Sequence, residues 1–178
     1  SLGSRGMPAF LSTPYIFYEQ KVIELINSAD RVLELCSGSG EHTRILLKTG
    51  ADVVASDISP ASLRLLMNRF NGSFRNIKTT VADMESLPFD TASFDVVACA
   101  GLSYGDPVLV NDEIRRILRP GGKLICVDSL NCNPVYRINR WIHYLRGNRS
   151  RSTLSRMPNL DRIRVLHQEF QDFQVEYF

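Results

Sequence analysis

Five short apolar runs, closed by turn residues and separated by helix-length segments, constrain this chain more than any other feature. They are Arg31 to Cys36 (RVLELC), Ala51 to Ser56 (ADVVAS), Ile77 to Val81, Phe94 to Ala100 (FDVVACA) and Lys123 to Asp128 (KLICVD). Each is apolar on both faces, as a strand buried between two helical layers must be. Helical spacing fills the gaps. Pro14 to Asn27 precedes the first run, with Ser12 or Thr13 as cap. Glu41 to Lys48 follows it and is ended by Gly50. Ser59 to Phe70 has Ser59 as cap and Pro60 at its first position, and Val108 to Leu118 leads into the turn Arg119-Pro120-Gly121-Gly122. The alternation predicts an α/β fold: a doubly wound, mostly parallel sheet with right-handed crossovers and helices on both faces.

At 178 residues, with 44% hydrophobic and 22% charged, the chain suits one globular domain and excludes a disordered or collagen-like one. No apolar run approaches the length of a membrane span, and no basic-then-apolar leader opens the chain. Cys36, Cys99, Cys126 and Cys132 lack paired metal-site spacing and read as small buried hydrophobes, so a cytoplasmic location and no metal are expected. Charge is uneven: the net is −2 through Leu130 and +4 beyond it, where Arg137, Arg140, Arg146, Arg149, Arg151 and Arg156 run without an acid among them.

These shifts divide the chain. Residues 1–6 read as an expression remnant, 7–130 as the cofactor-binding core, and 131–157 as a basic helical insertion or lid built on the helix 135–146. Residues 158–178 complete the same domain with a helix over Asn159 to Phe170, and Phe170 faces inward. Phe173 to Phe178 alternates as a sixth strand. The basic segment suits a lid with a solvated face, recognition of an anionic substrate, or peripheral docking on an anionic membrane surface. It lacks the aromatic stacking platforms of a nucleic-acid groove, which argues against nucleic acid. A homo-oligomer stays open.

The segment Glu34-Leu-Cys-Ser-Gly-Ser-Gly40 places a glycine turn between the first strand and its helix, where backbone can approach a ligand closely. Dinucleotides use the same turn, but their third glycine would fall at position 43, which is Thr. Glu34 and Glu41 also flank the turn with negative charge, unsuited to a pyrophosphate. An adenosyl ligand bearing a sulfonium and an ammonium tolerates those acids. Asp57, ending the second run, can accept hydrogen bonds from ribose hydroxyls, Asp83 can accept one from an adenine amine, and Met84 can wall the ring.

Together, ELCSGSG, SDIS, ADMESLPFDTASFDVV and RILRPGGKLICVD, in that order, resemble the class I S-adenosylmethionine-dependent methyltransferases, in particular the small-molecule branch of quinone and sterol methylating enzymes. The resemblance runs from about Tyr15 to Asp128 and more loosely to Phe178. It implies a Rossmann-like fold with S-adenosyl-L-methionine held at Glu34, Ser37, Gly38 and Gly40, with Cys36 standing where the run's first glycine would be. The ribose would sit on Asp57, with Ile58 against adenine and the amine on Asp83 and Met84. Ala100 and Gly101 would lie below the methionyl moiety, closed over by Tyr15 or Tyr18. The family sheet has seven strands, so the seventh is missing here or supplied by a partner. Ala-Gly-Leu-Ser-Tyr104 lacks the Asn/Asp-Pro-Pro-aromatic signature of enzymes that methylate amino groups of bases or glutamine.

The implied reaction is in-line displacement at the sulfonium methyl by a small-molecule acceptor, such as an anionic sugar or lipid intermediate. No permanent base is required. Tyr104, Asp106 and His143 are candidates only by position, after strands four and five. A nicotinamide-dependent oxidoreductase and a non-catalytic S-adenosylmethionine-binding module are the alternatives.

Overall fold

The computed structural model describes residues 9–70, 73–128, 170, 172 and 174–177. Five strands form one sheet in the order β3-β2-β1-β4-β5, and every neighbouring pair is parallel. They are β1 (Arg31–Leu35), β2 (Asp52–Asp57), β3 (Ile77–Val81), β4 (Phe94–Ala100) and β5 (Leu118–Val127). The helices are α1 (Ala9–Leu25), α2 (Thr43–Lys48), α3 (Pro60–Phe70) and α4 (Pro107–Ile117). The chain runs outward from β1 to β3, then returns past β1 to β4 and β5. That reversal puts the switch point at the carboxyl ends of β1 and β4, where such sheets leave a crevice.

Alternation along the strands builds two cores. Val32, Val53, Val96 and Ala98 face α1, α2 and α3, where Val22, Leu46 and Leu66 cover them. Leu33, Leu35, Val97 and Cys99 face the other side, where Val110, Ile114 and Ile117 of α4 and the 82–89 connection close over them. Phe170 packs against this second core, as expected of an inward-facing residue.

Several boundaries differ from expectation. Helix α1 begins at Ala9 and carries Pro14 inside it rather than at its start. A proline there omits one N–H, and the helix continues through it. The helix stops at Leu25; Asn27 N–H bonds Asp30 Oδ2 at 2.7 Å. Helix α2 starts two residues late, at Thr43, with His42 as its cap residue. The turn expected before the fifth strand lies inside β5. Phe94 pairs with Leu118, the next rung joins Val96 to Lys123, and residues 119–122 bulge between them. A Cβ on Gly122 would lie 2.8 Å from Arg119 O and 3.1 Å from Asp95 O, so only glycine fits this bulge.

The sixth strand expected over 173–178 is not formed at residues 174–177, which have no regular secondary structure. Val175 and Tyr177, the apolar half of that alternation, are exposed among the described residues. The helix 135–146, the loop 147–156 and the helix 159–170 up to residue 169 lie outside the described residues. His143 and the basic segment lie there too.

Candidate functional site

The crevice is organised by Glu34, near the end of β1. Its side chain points to the face covered by α1 and α2 and is 2% exposed. Thr43 Oγ1, at the start of α2, donates to its Oε2 at 2.5 Å. Burial pushes the Glu34 carboxyl up to about 8; the Thr43 bond opposes the rise and the nearby Asp57 adds to it. The sequence pointed to Thr43 only as a missing glycine, whereas the structure makes it the hydrogen-bond partner of the buried acid.

The loop that follows takes positive φ three times, at Cys36, Gly38 and Gly40. Cys36 has φ 53° and Gly38 φ 54°. Cys36 thus adopts the conformation that glycine reaches freely, at a cost of about 1–2 kcal/mol for an L residue. Its Sγ lies 3.7 Å from Met84 Sδ, and the Cys99 thiol beside it holds the Cys36 thiol below its ordinary value. Ser37 N–H bonds Ser56 O at 3.0 Å, and Ser56 Oγ donates to Glu34 O at 2.9 Å, which ties the loop's entry to β2.

The two loop glycines answer different needs. A Cβ on Gly38 would meet nothing within 4 Å, so this backbone faces open space. A Cβ on Gly40 would lie 2.7 Å from Phe70 Cε2 and 3.0 Å from Leu66 Cγ, so Gly40 admits α3.

Asp57 closes the loop from β2. Its Oδ2 accepts from Gly38 N–H at 2.9 Å and its Oδ1 from Ser59 N–H at 2.8 Å. Each oxygen keeps lone-pair capacity beyond these bonds, so the carboxylate is oriented and can still accept from a ligand. Ile58 beside it is 70% exposed and free to flank a ring.

The remaining candidates divide. Asp83 is exposed, and its Oδ1 accepts from Glu85 N–H at 2.9 Å. Met84 is buried in the second core, between Cys36 and Gly105, so its first task is packing. Half-buried Ala100 ends β4 and buried Gly101 follows it, and the Tyr104 ring closes on Gly101, whose added Cβ would sit 2.7 Å from it. Asp106, read from sequence as a candidate base, caps α4: its Oδ1 accepts from Val108 N–H at 3.0 Å and Leu109 N–H at 3.3 Å. The Asp106-Pro107 pair carried that signal, a capping acid before a proline at the first helical position.

Helix α1 roofs the crevice. Tyr18 is 3% exposed, and its phenol is held well above its ordinary value, first by burial and then by Glu34. Tyr15 stacks on His42 with ring centroids 5.1 Å apart, and Tyr18 meets the same imidazole edge-on at 5.8 Å. Burial lowers the His42 pKa, against the pull of Glu19 and Glu41, so the imidazole is neutral at neutral pH. Nothing in the sequence connects His42 to these rings. Tyr18 Oη, Ser37 Oγ and His42 Nδ1 are buried and have no hydrogen-bond partner among the described residues. Buried polar atoms are normally paired, so orphans gathered around one loop mark a place for a polar ligand. An adenosyl amino acid fits this set among the described residues: two carboxylates for its hydroxyls and cationic groups, hydroxyls without partners, and no basic side chain that would favour a pyrophosphate.

A separate cleft of about 210 Å³ lies at the amino ends of β1 and β4, beside the bulge of β5, lined by Asp30, Asp95, Arg119, Gly122 and Lys123. Its cations are already engaged, Arg119 with Asp95 at 2.6 Å and Lys123 with Leu25 O at 2.9 Å.

Residues 32–122, about half of the chain, match the methyltransferase domain family. The chain is 36% identical over 116 residues to demethylmenaquinone methyltransferase of Clavibacter sepedonicus, an overlap covering 62% of this chain and 46% of that protein. It spans less than half the length of the curated relatives it matches, at 46%, 40% and 45% of three of them. YcgJ of Bacillus subtilis shares the fold, with a TM-score of 0.71 at 18% identity over 86% of this chain and 67% of that one. A SAM-dependent methyltransferase of Methanosarcina mazei aligns with a TM-score of 0.58 at 26% identity, over 67% of this chain and 62% of that one. Because the family match covers half of the chain, residues 32–122, the chain belongs to the methyltransferase domain family.

Proposed function

We propose that the chain binds S-adenosyl-L-methionine at the Gly38 loop and transfers its methyl group to a small-molecule acceptor. The observation that carries this reading is the Asp57 carboxylate, fixed by Gly38 N–H and Ser59 N–H beside the open face of the loop. When bound, the cofactor supplies an activated methyl on a cationic sulfur. The protein's part is to bind and align. Asp57 takes the ribose hydroxyls and Ile58 flanks the adenine. Asp83 accepts from the adenine amine above Met84, and Glu34, Ser37 and Tyr18 meet the polar end. Helix α1 with its Tyr15–His42 stack excludes water from above. Fixing two reactants in attack geometry is the larger part of what such a site contributes.

The acceptor is read as a small apolar or amphipathic molecule, with a quinol as the first compound to try. Tyr104, Val108 and Leu109 are exposed where β4 gives way to α4, beside the expected methionyl end. The name of the Clavibacter relative points the same way. The anionic sugar or lipid intermediate suggested by the arginine-rich segment is the second acceptor class. Among the described residues no helix is long and apolar enough to cross a membrane. The nicotinamide alternative gains nothing, since neither the family match nor the acid-flanked loop favours it.

The first test is calorimetric. Asp57→Ala should weaken S-adenosylmethionine binding by about tenfold or more, the equivalent of one charge-assisted hydrogen bond. Unchanged affinity would reject the ribose assignment. A labelled-methyl assay with a demethylated quinol, and in parallel with a cell extract resolved into lipid, glycan, RNA and protein, then separates an enzyme from a binding module.

A further inference from the structure

Among the described residues, Glu34 is a buried acid with no buried cation beside it. Thr43 Oγ1 approaches it from α2, Tyr18 with its unpartnered hydroxyl from α1, and Asp57 from β2. The β4 neighbour in register is Ala98, and Cys99 next to it is a fully buried thiol. Glu19, the other acid on α1 that acts on this cluster, is also negative. Among the described residues, the charge that acts on Glu34 is the Asp57 carboxylate. A carboxylate withdrawn from water with no positive partner is strongly disfavoured, and the group holds its proton instead.

A ligand that brings a positive charge to the loop changes that balance. We propose that Glu34 gives up its proton to solvent when a cationic adenosyl ligand enters, so that the site selects charged ligands and their binding is coupled to proton release. The inference rests on the reading of the loop as an S-adenosylmethionine site and adds the ionisation that such binding requires. The carboxyl O–H bond breaks heterolytically, the electron pair stays on oxygen, the proton passes to buffer, and nothing is oxidised or reduced. Neutral ligands gain nothing from Glu34, which makes charge, more than the adenosine moiety, the property this residue reads.

The experiment is titration calorimetry near pH 7 in two buffers of unlike ionisation enthalpy, with three probes. S-adenosylmethionine and S-adenosylhomocysteine carry an ammonium; 5′-methylthioadenosine carries neither ammonium nor sulfonium. For the unaltered protein the first two should release about 0.5–1 proton and the third close to none. S-adenosylmethionine affinity should rise by up to about tenfold per pH unit and level off near pH 8. Glu34→Gln, a neutral mimic of the protonated acid, should bind without proton release and with a flat pH profile. Binding of S-adenosylmethionine to the unaltered protein with no net proton released would overturn the coupling and leave the cofactor reading intact. Release that persists in Glu34→Gln would place the proton on another group and equally overturn it. Binding of none of the three probes would overturn the cofactor reading and the coupling with it.

Discussion

Three consecutive alternate positions of one loop, Cys36, Gly38 and Gly40, show how differently similar backbone can be used. All three have positive φ, at 53°, 54° and 86°. Cys36 accepts the strain of a left-handed L residue and in return sets its sulfur between Met84 and Cys99. Gly38 looks into open space, while Gly40 lies under Phe70 and Leu66. Alanine substitution should therefore separate ligand binding from folding. Gly40→Ala combines left-handed strain with a clash against a buried ring and should lose about 2–4 kcal/mol of stability in urea melts. Gly38→Ala meets only the strain, about 1 kcal/mol, yet it puts a methyl on the open face and should cost S-adenosylmethionine affinity by about tenfold or more. If Gly38→Ala proved the more destabilising and bound the cofactor normally, the division of labour drawn here would be wrong.

At the scale of elements, the clearest device is the strap that holds the 82–93 connection to α4. Arg116 donates to Phe89 O at 2.6 Å and Leu87 O at 2.9 Å while paired with Glu113 at 2.7 Å, and Leu87 N–H donates to Glu113 Oε2 at 2.6 Å. The connection carries Asp83 and Met84, so the strap also fixes the expected adenine end. Arg116→Ala should lose about 2 kcal/mol, since two backbone carbonyls and Glu113 lose a charged donor at a partly exposed site. Met84 packing should loosen with it, read as faster amide exchange over residues 83–89. Sequence pattern revealed the strands and the order of motifs because both are local: a doubly apolar run is a buried parallel strand wherever it pairs. The strap was not legible, because it joins residues 27 and 29 positions apart through carbonyls that have no side-chain signature. The bulge in β5 was legible only as a turn, since Arg119-Pro-Gly-Gly reads the same whether it ends a strand or kinks one. The place of Asp57 at the end of β2 was legible from the second apolar run, but its two backbone donors depend on the loop's torsions. The start of α1 was misplaced because proline is a strong local signal and the tertiary fold overrode it.

For the whole molecule, the buried and bridged acids act on stability in opposite directions. Asp95 is held below its ordinary value of 3.8, first by Arg31 N–H and then by Arg119, and Glu113 below 4.5 by Arg116. Their contribution is present above those ordinary values and is lost as pH falls through the lowered folded ones. Glu34 works the other way. With an ordinary value of 4.5 and a folded value of about 8, its contribution is complete below about 4.5 and drains away as pH rises toward 8. His42, depressed from 6.5, adds stability as pH rises toward that value and nothing further above it. Between about pH 6.5 and 8 the falling branch therefore belongs to Glu34, with a limiting slope of about 1.4 kcal/mol per pH unit for one proton. The ligand-free protein should melt from its most stable state on the acid side of neutrality and lose stability toward pH 8. Comparison with Glu34→Gln cancels the contributions of all other groups. The variant should show no such decline over this interval and should be the more stable protein at pH 8. Saturating S-adenosylmethionine should remove the same decline from the unaltered protein, because its Glu34 is then ionised in the folded state. Thermal melts of both proteins at half-unit steps from about pH 5 to 8.5, with and without the ligand, read all of this directly. Parallel curves for the two ligand-free proteins would show that Glu34 is ionised in the empty fold, and the selection of cationic ligands would need another origin.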